Sequence, residues 1–160
     1  MTGLNKPERI QMNYSWAICD KFKRYVMAHR QQHTLDCIVG ILRGGAVPAV
    51  IMSNILRVPV YWVVMRNLDT HGFVKKAPGF LNLNVDTQAV LNKSVMVVDD
   101  LWNTGHTMSS VIEFVLHHRP KKISGCVMVT KDATLKHRGL NVAFLEALQP
   151  NDWVVFPWEE

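Results

Sequence analysis

Short runs of apolar, β-branched residues alternate with stretches of helical spacing along most of the chain. The apolar runs predict strands at 36–42, 58–65, 94–100, 122–130, 141–145 and 153–156. Between them, apolar residues at helical spacing predict helices at 13–30, 46–56 and 107–118. Strands that alternate with helices are typical of a mostly parallel sheet covered on both faces. The pattern therefore predicts a doubly wound α/β fold.

One segment, 66–92, has no clear periodicity, because Gly72, Pro78, Gly79 and several asparagines interrupt it. A stretch of this length inside a compact domain is usually functional or mobile, and part of it could pair as a short hairpin. No repeat, linker or low-complexity segment divides the chain. We therefore predict a single domain over residues 1–160, with 66–92 as an insertion within it.

Composition narrows the class of protein. Apolar residues make up 48% of the 160 residues and charged residues 19%, which argues against a disordered chain. The longest apolar run, 58–65, contains Pro59 and is too short to span a bilayer. The three cysteines, Cys19, Cys37 and Cys126, have no C-x-x-C spacing, which argues against a zinc site or disulfides. We expect a cytoplasmic protein without a membrane partner.

The net charge of +5 leaves two classes of anionic partner open, nucleic acids and polyphosphate metabolites. The basic residues are scattered along the chain, and no basic stripe interleaved with aromatic residues appears. This distribution argues against nucleic acid as a partner.

The most informative stretch is 95–107, where an apolar run ends in Asp99 and Asp100. Burying two adjacent carboxylates without partners is costly, so we expect them to face solvent, sugar hydroxyls or a metal. The segment 104–107 then begins a helix, where backbone N–H groups and threonine hydroxyls can bind a phosphate. The alternative interpretation is an acidic turn followed by a threonine N-cap.

A second turn, Arg43-Gly44-Gly45, follows the first predicted strand and offers backbone N–H groups beside a guanidinium. Taken alone, it could be an ordinary turn between a strand and a helix. Two anion-suited turns at the ends of different strands together indicate a ligand with two phosphate groups.

In this order, the motifs resemble those of type I phosphoribosyltransferases. The stretch 95–107 is similar to their motif for 5-phosphoribosyl-1-pyrophosphate (PRPP), and 41–45 is similar to their pyrophosphate loop. The tail 153–159 resembles that of the short 6-oxopurine enzymes of the xanthine-guanine type. The resemblance implies a small hood built from the N- and C-terminal segments and a lid at 66–92. It implies Mg²⁺-dependent transfer of phosphoribose from PRPP to guanine, xanthine or hypoxanthine, for purine salvage, by a homodimer or homotetramer.

The resemblance also implies roles on the PRPP side of the site. Asp99 and Asp100 would hold the ribose hydroxyls, and Asp100 would contact magnesium. Arg43 and Gly44 would bind pyrophosphate, in a loop where the family often has a cis peptide. The 5′-phosphate would be cradled by the residues that follow the acids, namely Asn103, Thr104, Gly105, His106 and Thr107.

On the base side, Lys131 would donate to the purine 6-oxo group, Trp153 would stack on the ring, and the Val154 backbone would read its exocyclic edge. The alternatives are a solvated Lys131 and a Trp153 packed in the core. Trp16, Trp62 and Trp158 are expected to be core or interface residues.

Asn103 departs from the resemblance, because 6-oxopurine enzymes normally have an aspartate there, near purine N7, that accepts or shares a proton. Asparagine cannot take a proton at neutral pH. Either the base reacts as an anion or another group takes the proton, or the protein binds nucleotide as a non-catalytic regulator. Transfer to a different base is also compatible with asparagine at this position.

Overall fold

The computed structural model describes residues 10–32, 34–66, 79–82, 84–132, 134–137 and 140–159. Its strands are β1 (Gln11–Asn13), β2 (Cys37–Leu42), β3 (Val60–Arg66), β4 (Gly79–Asn82), β5 (Ser94–Trp102), β6 (Lys122–Thr130), β7 (Lys136–His137), β8 (Leu140–Ala147) and β9 (Trp153–Val155). Its α-helices are α1 (Ala17–His29), α2 (Ala46–Leu56), α3 (Thr87–Val90) and α4 (His106–His117). None of the helices in these ranges has the length and apolar character needed to span a bilayer.

The main sheet has seven strands in the order β4-β3-β2-β5-β6-β8-β7. Its five inner strands are parallel, whereas β4 and β7 pair antiparallel with their neighbours at the two edges. In the centre, Val95 of β5 lies opposite Cys37 of β2 on one side and Ile123 of β6 on the other. The predicted parallel α/β architecture is confirmed.

Both faces of the sheet are covered, which explains why its strands are continuously apolar. Side chains alternate between the faces along each strand. In β5, Val95 and Val97 join the cluster that includes α3 and α4, whereas Met96 and Val98 join the cluster that includes α1 and α2. The sheet is therefore the middle layer of three, with two helices on each side.

A separate two-stranded sheet forms the hood that the resemblance implied. β1 and β9 pair in parallel, with Gln11 opposite Trp153, so the hood joins the two ends of the described chain. Tyr14 stacks on the buried Phe156, with the ring centroids 5.5 Å apart. The predicted strand at 153–156 thus belongs to the hood and not to the main sheet.

The C-terminal part of the predicted lid at 66–92 belongs to the packed core and not to a lid. β4 adds to the edge of the main sheet beside β3, as the expected hairpin. Val85, which precedes α3, and Ala89 and Val90 within it are buried in the core on the same face of the sheet as α4. Asp86 caps α3 by accepting the Ala89 N–H at 2.7 Å. Residues 67–78 and 83 of the predicted lid lie outside the described residues.

Candidate active site at the switch point of the sheet

The order of the strands creates a crevice between β2 and β5. The chain passes from β2 outward to β3 on one side, and from β5 outward to β6 on the other side. The loops that follow β2 and β5 therefore diverge, and ligands of open α/β sheets bind at such a switch point, beyond the carboxyl ends of the strands. The two anion-suited turns of the sequence are these two loops.

The loop after β2 lies directly against the acid pair. The peptide bond between Leu42 and Arg43 is cis, as the resemblance implied. The Gly45 N–H donates to the Ile41 carbonyl at 2.8 Å, which folds the loop tightly. A Cβ atom at Gly44 would overlap the carboxylate of Asp100, so the backbone can approach that carboxylate only through glycine. Arg43 is exposed at the mouth of the crevice.

Asp99 and Asp100 lie within β5, which is longer than predicted and continues to Trp102. Each aspartate is only 8% exposed, so of the three expected surroundings solvent is excluded, and sugar hydroxyls or a metal remain. The reason is pairing: Asp99 lies opposite Val127, and the ladder with β6 continues as far as Thr130. The Asp100 N–H donates to Oδ1 of Asp99 at 3.0 Å.

The buried acid pair is electrostatically unfavourable when both groups are ionised. Burial raises the pKa of Asp99 well above its ordinary value, and the neighbouring charge of Asp100 raises it further. Burial also raises the pKa of Asp100, although the indole N–H of Trp158 opposes this change. Two carboxylates kept in an unfavourable environment are typical of a binding or catalytic site.

The loop after β5 supplies the second anion site. Gly105 has a φ of 78° and is the N-cap residue of α4, and its missing Cβ makes room for the Trp102 ring. The helix start has no side-chain cap, which contradicts the alternative of a threonine N-cap. Around this turn, Asn103, Thr104 and His106 are exposed and Thr107 is half-buried. Backbone N–H groups of the first turn of α4 are therefore available to an anion such as a phosphate.

The predicted base-binding residues come from two other elements, the end of β6 and the hood strand β9. Lys131 directly follows β6 and is half-buried, and its N–H donates to the Trp102 carbonyl at 2.9 Å. Trp153 is 56% exposed, which contradicts its alternative placement in the core. Its N–H donates to the Ile10 carbonyl, and the neighbouring Val154 is buried in the hood.

The donor set suits magnesium that arrives with a phosphorylated substrate. Mg²⁺ prefers oxygen ligands and is usually held by one or two carboxylates together with substrate phosphates. Asp99 and Asp100 are such carboxylates, and an additional positive charge would relieve their repulsion. Over the described ranges, no three His, Cys, Asp or Glu side chains come together as an all-protein metal cluster. Asp99 and Asp100 are thus the carboxylates that could hold the metal together with substrate phosphates.

Two tryptophans contribute to the site in ways that the sequence did not indicate. Trp102 packs its buried ring beneath the phosphate-suited turn at Gly105. Trp158, expected only as a core or interface residue, donates its indole N–H to Oδ2 of Asp100 at 3.4 Å. The contact of Trp102 with the turn could have been found from Gly105, which follows it closely in the sequence. The contact of Trp158 with Asp100 joins residues far apart in the sequence, so no local signal indicated it.

A sequence profile of the family described as "Phosphoribosyl transferase domain" matches residues 16–160. The chain belongs to this family. The match includes both loops of the crevice, the acid pair and the C-terminal hood strand, so the family assignment covers the whole candidate site. Within the family, the chain resembles proteins that act on purines.

A hypoxanthine-guanine phosphoribosyltransferase of Aquifex aeolicus (strain VF5) is 26% identical over 97 residues, which cover 59% of this chain. The match spans about half the length of that relative, 53%. The crystal structure of a purine phosphoribosyltransferase from Pyrococcus horikoshii Ot3 is 25% identical, with a TM-score of 0.72 over 94% of each chain. A Helicobacter pylori xanthine-guanine-hypoxanthine phosphoribosyltransferase shares the fold at 19% identity, with a TM-score of 0.71 over 93% of each chain.

The contact between Gly44 and Asp100 leads to a prediction about stability. Gly44→Ala is expected to lower the free energy of unfolding by about 1–3 kcal/mol, because the added methyl group must displace the carboxylate. Chemical denaturation would measure this change.

Gly125→Ala is a matched control, because it adds the same methyl group in β6, where the nearest atoms are Val142 methyl carbons at 3.0 and 3.1 Å. It should cost less than Gly44→Ala. In an Asp100→Ala background, the cost of Gly44→Ala should also fall, because the overlapping carboxylate is gone. An equal cost in both backgrounds would contradict the contact.

Proposed function

We propose that the protein transfers the phosphoribosyl group of PRPP to a 6-oxopurine base, giving a nucleoside 5′-monophosphate and pyrophosphate. The observation that carries this proposal is the contact of the Arg43-Gly44 loop with the buried acid pair at the switch point. One loop suits a pyrophosphate, the acids suit ribose hydroxyls, and the N-terminus of α4 suits a 5′-phosphate. Pyrophosphate, ribose and 5′-phosphate are the three parts of PRPP, so each part of this molecule has a suitable group in the crevice.

In the proposed reaction, a purine ring nitrogen forms a bond to the ribose anomeric carbon as the bond from that carbon to the pyrophosphate oxygen breaks. The base either reacts as an anion or gives its ring proton to water or another group. Arg43 and the backbone N–H groups of its loop stabilise the negative charge on the departing pyrophosphate. Asp99 and Asp100 fix the ribose through its hydroxyls, so the anomeric carbon faces the base. Bound magnesium would add positive charge next to the leaving group.

The base would lie on the hood side of the crevice. Trp153 offers an exposed ring for stacking on a purine, and β9 offers the Val154 backbone for hydrogen bonds to its exocyclic edge. Lys131 is a donor for the 6-oxo group, and the hydrogen bond from its N–H to Trp102 fixes its backbone at the end of β5. An oxo group at position 6 accepts from lysine, whereas an amino group does not, so this residue favours 6-oxopurines.

Asn103 favours a second candidate function, a regulator that binds PRPP or a nucleotide without turnover. Its amide can hydrogen-bond to a purine but cannot remove a proton. Transfer to a different base is the third possibility that this residue leaves open. All three functions require the same PRPP site, and they differ in whether pyrophosphate is released and with which base.

A panel of bases tests the proposal directly. The protein would be mixed with PRPP, Mg²⁺ and one base at a time, and pyrophosphate release would be followed together with the nucleotide product. We expect product with at least one of hypoxanthine, guanine and xanthine. Product only with adenine, uracil or orotate would redirect the proposal to another base. PRPP binding without any product would support the regulator.

We further propose that the protein works in the cytoplasm as a homodimer or homotetramer. Its three cysteines are buried free thiols, which suits a reducing compartment. Exposed apolar side chains on α1 and α2, Met27 and Val50, provide surface that self-association would cover. Sedimentation equilibrium would test the assembly, and a monomer at micromolar concentration would contradict it.

A further inference from the structure

Trp158 connects the hood to the acid pair of β5. Its Nε1–H donates to Oδ2 of Asp100 at 3.4 Å, although 58 positions separate the two residues along the chain. An indole N–H can only donate, and a carboxylate oxygen is a strong acceptor. The hydrogen bond holds one oxygen of the carboxylate from the side of the hood.

The hood determines the position of this indole through several independent contacts. The ring of Trp158 stacks on Phe156, with the centroids 4.8 Å apart and the planes 7° from parallel. Phe156 in turn stacks on Tyr14, and Trp16 packs against Trp158 at 6.0 Å. Stacked aromatic rings with offset centres are favourable and restrict each other's rotation.

The turn that carries Trp158 is closed by two hydrogen bonds between the residues on either side of it. The Glu159 side chain accepts the Phe156 N–H at 2.8 Å, and the Glu159 N–H donates to the Phe156 carbonyl at 3.0 Å. The backbone of the turn is therefore fixed as well as the ring. Together, the turn and the stack aim the indole N–H at β5.

Asp100 has little freedom on its other side. The Gly44 backbone lies so close that no Cβ atom would fit between it and the carboxylate. The carboxylate is consequently held between the loop after β2 and the indole of the hood. A buried carboxylate without a donor would be costly, so the indole also compensates for part of the lost hydration.

We propose that Trp158 is a positioning residue, whose indole N–H orients the Asp100 carboxylate to receive the ribose hydroxyls of PRPP. This inference rests on the proposed function and extends it to a residue outside the PRPP motif. It also makes the PRPP site depend on the hood, because β9, which precedes Trp158, carries the exposed ring of Trp153. A change that disorders β9 should therefore also free the Asp100 carboxylate.

Trp158→Phe tests the inference, because phenylalanine retains the aromatic stack and removes only the donor. Calorimetry with PRPP and Mg²⁺ should show affinity reduced about tenfold, as for loss of a hydrogen bond to a charged group. Trp62→Phe is the matched control, since it makes the same change in a partly buried tryptophan of β3 that packs against the core beside Gly40. The control should bind PRPP like the wild type and have a similar melting temperature to Trp158→Phe.

Asp100→Asn provides a second background and a readout that needs no ligand. There, Trp158→Phe should reduce PRPP affinity by much less than in the wild type, because an amide oxygen is a weaker acceptor than a carboxylate. In the ligand-free protein, the indole N–H resonance of Trp158, assigned by its disappearance in Trp158→Phe, should shift on Asp100→Asn. The inference would be overturned if Trp158→Phe bound PRPP as tightly as the wild type. It would also be overturned if the indole N–H of Trp158 had the same chemical shift in Asp100→Asn as in the wild type. A wild type that shows the indole shift but never binds PRPP would overturn the proposed function, and with it the role given to Trp158.

Discussion

Replacing Asp100 with asparagine is expected to weaken the binding of PRPP in the presence of magnesium by about 100-fold. The change removes one negative charge from the buried acid pair of β5 and one charged acceptor for ribose hydroxyls. Isothermal titration calorimetry with and without Mg²⁺ would measure it, and the loss should be much smaller when magnesium is absent.

Asp20→Asn is the matched control for this prediction, because it removes the same charge on the exposed face of α1, where Asp20 pairs with Lys23 at 3.1 Å. PRPP affinity of this control should equal that of the wild type. Equal PRPP affinities of Asp100→Asn and Asp20→Asn would show that Asp100 does not contribute to PRPP binding.

The same Asp100→Asn variant should be more heat-stable than the wild type when metal and ligand are absent. Burial raises the pKa of Asp100 in the folded protein, so ionising this group destabilises the fold. The loss of stability caused by the ionised carboxylate is complete above the raised pKa of Asp100. It disappears as the pH falls toward the ordinary aspartate pKa of about 4. The variant should therefore melt at higher temperature at pH 8, with a difference that shrinks on acidification. A lower melting temperature at pH 8 would contradict this assignment.

Replacing Asn103 with aspartate is expected to raise turnover with guanine or hypoxanthine by about 100-fold, the lower end of what a positioned general base contributes. Asn103 is exposed in the loop between β5 and α4, directly after the acids and Trp102. A carboxylate there could accept the proton that the purine ring loses on attacking the ribose. Steady-state kinetics under saturating PRPP would measure the change.

Asn103→Ala is the control for this prediction, since it removes the amide without adding a base and should not raise turnover. The gain of Asn103→Asp should require the ionised carboxylate, and so it should decline at acidic pH. If the rate stays flat or falls with aspartate, Asn103 has another role in the site. A flat rate combined with intact PRPP binding would favour the nucleotide-binding regulator.

Much of the fold could be predicted because buried parallel strands and amphipathic helices leave distinct patterns. The strand 122–130 and the helix 46–56 agree with β6 and α2 at both ends. β5 was predicted to end at the acids, because polar residues usually mark the end of a buried strand. Its pairing with β6 overrides that signal and keeps Asp99 and Asp100 within the ladder.

The parts of the site that the sequence missed depend on contacts between distant residues. Nothing near Trp158 indicates that its indole reaches β5, because that position follows from the pairing of β9 with β1. The position of the acid pair beside the Gly44 loop likewise follows from the strand order, which the sequence pattern left open. Local motifs thus indicated which groups bind a phosphorylated sugar, and the topology determined how those groups meet.

The pairing of β1 with β9 also has a consequence for synthesis on the ribosome. The sheet strands β2, β3, β5 and β6 can pair with one another as soon as they emerge, because each finds its neighbour within the chain already made. β1 emerges before them, yet its partner β9 follows all the other described strands along the chain. During translation, the acids of β5 therefore lack the indole that covers them until the turn that carries Trp158 has emerged and β9 has paired with β1.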